Sequence, residues 1–195
     1  GKSRTLRTCM QHVRPMFQKK HLTAKVELAA CTSVAAFNIG LGAHTACSAF
    51  QVFPNAEWRN ELEGPALRKL EDTWEDVVLL IIDEISFIGT AMFACMHFRI
   101  QQGKRAYFSQ NGLDPNSFTF GDISVILVGD FGQLERIDDW SMCDTEATYL
   151  TCPKKMRRLW RHAGHGKLLL RDFREAIMLK QIHRSKEDLW WTESC

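Results

Sequence analysis

Residues 77–86 read VVLLIIDEIS, and this stretch decides the fold. Six aliphatic residues run together with no polar alternation, and four of them are β-branched. That is the pattern of a strand buried on both faces, in a parallel sheet covered by helices on each side. The run ends in two acids, Asp83 and Glu84. Ending a buried strand in two carboxylates is costly unless they have a role at the strand's C-terminal edge. In open α/β sheets that edge is where ligands bind. A plainer alternative is that the pair caps the helix that follows.

Residues 123–130, ISVILVGD, repeat the arrangement: an aliphatic run, here expected to be a second buried strand, that stops at a Gly129-Asp130 turn. Gln133 follows, an uncharged side chain able to bond a phosphate oxygen or orient a water; Gly-Asp by itself more often marks a simple turn. Upstream, VELAACT at 26–32 reads as a short strand, and 34–45 as a short helix and loop. Residues 57–76 and 90–102 read as helices and 111–117 as a loop. Leu6, Met10, Val13 and Phe17 recur at helical spacing just after Ser3, with Pro15 expected to end that helix near Arg14. From 154 onward the pattern is mostly basic helix, with a strand expected at 176–180. Strands alternating with helices imply an α/β domain on a mostly parallel sheet flanked by helices.

A chain of 195 residues is the length of one domain, and its 45% hydrophobic and 25% charged content is ordinary for a globular protein. The net charge of +2 hides an uneven distribution. Residues 55–84 hold nine acids and three bases, whereas 153–186 hold eleven Lys/Arg and two acids. The second segment is either a solvated helical face or the footprint of a polyanion partner. Seven scattered cysteines with no C-x-x-C pair exclude a zinc-finger reading and fit reduced thiols, several of them in the core. The apolar run at 77–82 is too short to span a bilayer.

The chain opens Gly1-Lys2-Ser3, the ending of a phosphate-binding loop. In G-x-x-x-x-G-K-[ST], backbone N–H groups cradle phosphate, the lysine reaches the terminal phosphates and the hydroxyl holds magnesium. A tripeptide this common means little alone. The order Lys2, Asp83-Glu84, Gln133, each in its expected context, makes it a credible nucleotide site. There Asp83 suits magnesium and Glu84 suits a proton acceptor for the attacking water.

In order, GKS, TSVAAFNIGLGAHTACSAF (32–50), LLIIDEISFI (79–88), FGDISVILVGDFGQL (120–134) and LKQIHRSKED (179–188) resemble the successive motifs of one family. It is the petite-integration-frequency family of superfamily-one DNA helicases, which includes the helicase portions of rolling-circle (Helitron-type) transposons. The resemblance implies a RecA-like P-loop fold and an ATP-dependent motor moving 5′ to 3′ on single-stranded DNA, with ATP and magnesium as cofactors. It assigns Gly1, Lys2 and Ser3 to the phosphates, Ser3 and Asp83 to magnesium, and Glu84 to the catalytic base. Gln133 becomes the γ-phosphate sensor and Arg184 an arginine finger. Thr32, Ser33, Phe37 and Ser48 fall in the segments that meet DNA, where Thr and Ser donate to phosphates and Phe37 offers a stacking face. Phe37 as a core aromatic is an equal alternative. Gly40 and Gly42 lack the third glycine of a dinucleotide fingerprint.

The resemblance further implies that residues 1–195 are a first motor domain, truncated at both ends, with the second motor domain lying elsewhere. Such a fragment is expected to be nearly inactive by itself. The expected partners are ATP and single-stranded DNA, with no membrane, no zinc and a monomeric state, in the nucleus or mitochondrion. Two positions depart from the family pattern. Glu135-Arg136 replace two prolines after GDFxQL, and Cys47 stands where a histidine precedes Ser48. These departures keep a second reading open, a catalytically dead transposon remnant that binds nucleic acid through its basic segment. A third reading, a small-molecule P-loop kinase, fits less well with residues 32–40 and 181–188.

Overall fold

A computed structural model of the chain describes residues 2–20, 23–52, 60–131, 139–144 and 160–179. Its centre is a four-stranded, all-parallel sheet: β1 (Lys25–Ala30), β2 (His44–Thr45), β3 (Val77–Asp83) and β4 (Ser124–Leu127), in the order β2-β1-β3-β4. The α-helices among the described residues are α1 (Lys2–Lys20), α2 (Ser33–Ile39), α3 (Ala46–Ala49), α4 (Gly64–Trp74), α5 (Thr90–Gln110) and α6 (Trp160–Leu170). The strand at 77–83 is buried as its composition requires, with Leu79 and Ile81 on one face and Leu80 and Ile82 on the other. The first face packs on Leu6, Met10, Ala36 and Ile39 of α1 and α2. The second packs on the larger core, which includes Phe50, Leu70, Trp74, Phe93 and Ile100. This is the three-layer α/β arrangement expected from the sequence.

Several expectations change in detail. Helix α1 does not end near Arg14 but runs through Pro15 to Lys20. Proline costs this helix one N–H, yet Gln11 and Pro15 are both exposed, so the carbonyl left unpaired meets water, while Phe17 packs on the core beyond it. Of the helix expected over 57–76, residues 57–59 lie outside the described residues and 60–63 are not helical; α4 starts at Gly64, with Pro65 in its first turn, where a missing N–H costs nothing. Helix α5 runs on from 102 to Gln110, and the loop at 111–117 closes in a 3₁₀ turn. The expected strand at 26–32 stops at Ala30, and Thr32 instead caps α2.

The second strand is the larger correction. Strand β4 is not buried on both faces: it is short, its outer edge pairs with no described strand, and Ile126 is 46% exposed. Residues 176–179 form no strand, and Ile177 and Met178 lie in solvent. The basic C-terminal helix, where described, ends at Leu170. No helix among the described residues is long and apolar enough to cross a membrane.

Helix α5 lies between α4 and α6 and buries polar side chains along with apolar ones. Several bond to backbone: Lys104 Nζ donates to the Val77 carbonyl at 2.9 Å, and Gln102 both donates to and accepts from Leu62 at 2.8 and 3.2 Å. Asp139 performs the same service for the start of α5. Its carboxylate accepts the N–H groups of Ala91 and Met92 at 3.2 and 3.1 Å, two of the donors a helix N-terminus leaves unpaired.

Candidate functional site

The acid pair forms at the C-terminal edge of β3, where Asp83 is in register with Ala30 of β1. Asp83 is 3% exposed, and its Oδ1 accepts the Glu84 N–H at 2.9 Å. Burial pushes its carboxyl above the usual range; the Glu84 charge adds to this, while the Glu84 N–H bond and the Lys2 ammonium oppose it. Such a desolvated hard-oxygen donor fits a divalent cation of the magnesium type, whose charge would favour the carboxylate form.

Glu84 itself adopts a left-handed backbone, φ 55° and ψ 48°. A non-glycine residue held there costs about 1–3 kcal/mol, and such strain clusters at functional sites. The kink takes Glu84 off the strand axis, and its Oε2 accepts from Lys2 Nζ at 3.3 Å, each side chain about a quarter exposed. Lysine and carboxylate are 82 residues apart in sequence. The Gly129 turn after β4 lies against the same corner, since a Cβ there would come within 2.6 Å of Ile85 Cγ2. Lys2, Asp83 and Glu84 are thus brought together as expected. Gly1, Gln133, Arg184 and the Glu135-Arg136 pair lie outside the described residues, and Ser3 is described only as backbone of α1.

One participant was not foreseen. The Cys31 thiol donates to the Glu84 carbonyl at 3.0 Å and to that of Asp83 at 3.5 Å, tying the segment before α2 to the acidic corner. Next to it Thr32 caps α2, its Oγ1 accepting the Ala35 N–H at 3.1 Å, and Ser33 is exposed in the first turn. The even alternatives for Phe37 now separate. Its side chain is 86% exposed and one turn from Val34, itself 70% exposed, while Ala36 and Ile39 face the core. Ser48 is exposed on α3, and its N–H is bonded to the α3 cap, Thr45 Oγ1, at 3.2 Å. Gly40 and Gly42 have φ of 66° and 75° in the turn that ends α2, a turn-forming role rather than a nucleotide fingerprint. At this turn two arginines of α1, Arg7 and Arg14, bond the carbonyls of Asn38, Ile39 and Leu41. Nothing in the local sequence signals that contact.

Of the basic segment, residues 160–179, α6 and the stretch after it, are described. The Lys167 ammonium of α6 donates to the Asp144 carbonyl at 2.6 Å, so this base anchors the helix. Arg161 and Arg171 are exposed.

A family model described as PIF1-like helicase matches residues 1–186. Among solved structures, a Pif1 helicase from Candida albicans is similar at 22% identity and a TM-score of 0.61, over 99% of this chain and 36% of that one. A structure of two coordinating Pif1 helicases at forked double-stranded DNA is similar at 22% identity and a TM-score of 0.50, over 90% of this chain and 32% of that one. At these identities the likeness shows the fold, a RecA-like helicase domain with its parallel sheet. The chain spans about a third of the length of either structure. No curated protein matches significantly.

Proposed function

The chain belongs to the PIF1-like helicase family, and from that premise we propose that it is the nucleotide-binding motor segment of an ATP-driven helicase moving 5′ to 3′ on single-stranded DNA. The observation that carries the reading is the Lys2–Glu84 ion pair beside buried Asp83, formed at the ligand-binding edge of the sheet. Lys2 exchanges the Glu84 carboxylate for phosphate oxygens, and Glu84 is then free to take a proton from the attacking water. Asp83, with Ser3, would hold magnesium, whose charge would offset that of the phosphates. Gln133 and Arg184 complete the site by family resemblance, as γ-phosphate sensor and arginine finger. Phe37 stacks on bases regardless of their identity, and Thr32, Ser33 and Ser48 meet phosphates.

The test measures ATP turnover, with and without single-stranded DNA, by the protein carrying this segment and by its Glu84→Gln variant. Removing the proton acceptor while keeping shape should lower turnover by about two to four orders of magnitude and leave nucleotide binding nearly intact. Near-normal DNA-stimulated turnover in the variant would remove Glu84 from the role of base.

A further inference from the structure

We infer that Arg7 and Arg14 are positioning residues that hold α2, and with it Phe37, in the orientation that receives a base. The inference rests on the reading of Phe37 as a stacking platform. A seven-residue helix is too short to be stable alone, and its last carbonyls have no partners within it. No basic residue stands in the last turn of α2 to complement its dipole. Both needs are met from α1. The Arg7 guanidinium donates to the carbonyls of Asn38 and, at 3.2 Å, Ile39, and Arg14 donates to that of Leu41 at 2.8 Å. Arginine suits this use because its donors form a rigid fork.

The two arginines are seven residues, or about two turns, apart on one side of α1, bordering the stripe that buries Leu6 and Met10 in the core. The same rod begins at Lys2, roughly 18 Å from Arg14 at 1.5 Å per residue. The other end of α2 is fastened to the acidic corner through Cys31. Helix α2 is therefore held at both ends by elements that carry the nucleotide-site residues. Its exposed Val34–Phe37 face follows any shift of α1 against β3.

The test measures binding of a fluorescein-labelled oligo(dT) by anisotropy at several salt concentrations, for wild type, Phe37→Ala, the Arg7→Gln/Arg14→Gln pair, and all three changes together. Phe37→Ala should weaken binding about tenfold, the lower part of the range for one lost base stack. The arginine pair should weaken it several-fold with an unchanged slope of log K against log salt, and should add nothing once Phe37 is already alanine. A slope reduced by about 1.4, two contacts at roughly 0.7 each, would overturn the inference by making the arginines phosphate contacts themselves. It would also fall if the loss persisted in full without Phe37, or if affinity held while only the melting temperature dropped. An inert Phe37→Ala with a still-harmful arginine pair would instead overturn the stacking reading beneath it.

Discussion

The carboxylate of Asp139 occupies the space that a side chain on Gly89 would need. A Cβ built on Gly89 lies 2.1 Å from the Asp139 carboxyl carbon, while the same carboxylate caps α5 through Ala91 and Met92. Gly89 has an ordinary φ of −79°, so it is required here for room and not for backbone freedom. Asp139→Ala should destabilise the domain by about 2–6 kcal/mol, since the N–H groups of Ala91 and Met92 lose a buried acceptor at roughly 1–3 kcal/mol each. Gly89→Ala should cost about 1–3 kcal/mol in the wild type and clearly less in the Asp139→Ala background. Urea denaturation of the four proteins measures this, and strictly additive losses would count against the contact.

Gly166 presents the same problem at the α5–α6 interface, where its Cβ would fall 1.9 Å from the Thr90 carbonyl oxygen. The obstacle is backbone, which cannot rotate aside. Gly166→Ala should therefore cost about 1–3 kcal/mol even though alanine favours helices. A melting temperature equal to or above wild type would show that the helices can separate freely.

A pH dependence should arise beside this interface. His97 is buried on α5, its Nδ1 accepting the Phe120 N–H at 3.0 Å, with the His165 ring 5.3 Å away. Burial, helped by His165, lowers its pKa from 6.5 to about 4, and burial lowers His165 too. Between those values the unfolded chain binds the proton and the folded chain does not. The His97 contribution is thus fully present above pH 6.5 and is lost as pH falls toward 4, amounting to at most about 3 kcal/mol at 1.36 kcal/mol per unit. The urea midpoint should drop between pH 7 and 4.5, and by less in His97→Gln. Equal drops in both proteins would assign the effect to other groups.

Binding of single-stranded DNA should be weak, indifferent to sequence and salt-sensitive. If four bases of residues 153–186 contact phosphates, the slope of log K against log salt is near −3, from about −0.7 per contact. Changing exposed Arg161 and Arg171 to glutamine should make the slope less steep by about 0.7 for each that contacts phosphate. Lys167→Gln should affect stability more than the slope, because Lys167 is bonded to Asp144. A wild-type slope near zero would make the segment a solvated face.

These contacts show which parts of the molecule can be read from sequence. Strand β3 and the acid pair are legible because burial and chemistry are written in adjacent residues. Lys2 reaches Glu84 from 82 positions away, and only the order of motifs links them. Arg7, Arg14, Cys31 and Asp139 bond to backbone groups, which every residue type carries, so no partner residue betrays them. Strand β4 departs from its sequence pattern because an aliphatic run has the same letters at the centre of a sheet as at its edge; neighbours decide the difference. At Pro15 a local breaking tendency is outweighed by an exposed position and the packing of Phe17 beyond it.

The all-parallel register of β3 also has a consequence in time. Residues 77–82 form a six-residue segment without charge, proline or glycine, the composition most prone to self-association when exposed. During synthesis β1 has already been made and can take one edge of this strand. Its other partner, β4, begins about 40 residues later, a delay of roughly 2–8 s at 5–20 residues per second. Through that interval one edge of β3 has no neighbour, and Asp83 and Glu84 are the first charges that follow it. Acids in this position act as gatekeepers against association between nascent chains. Neutralising both should lower the soluble yield of newly made protein by more than the loss of folded stability accounts for, measurable by comparing pulse-labelled soluble fractions with equilibrium unfolding.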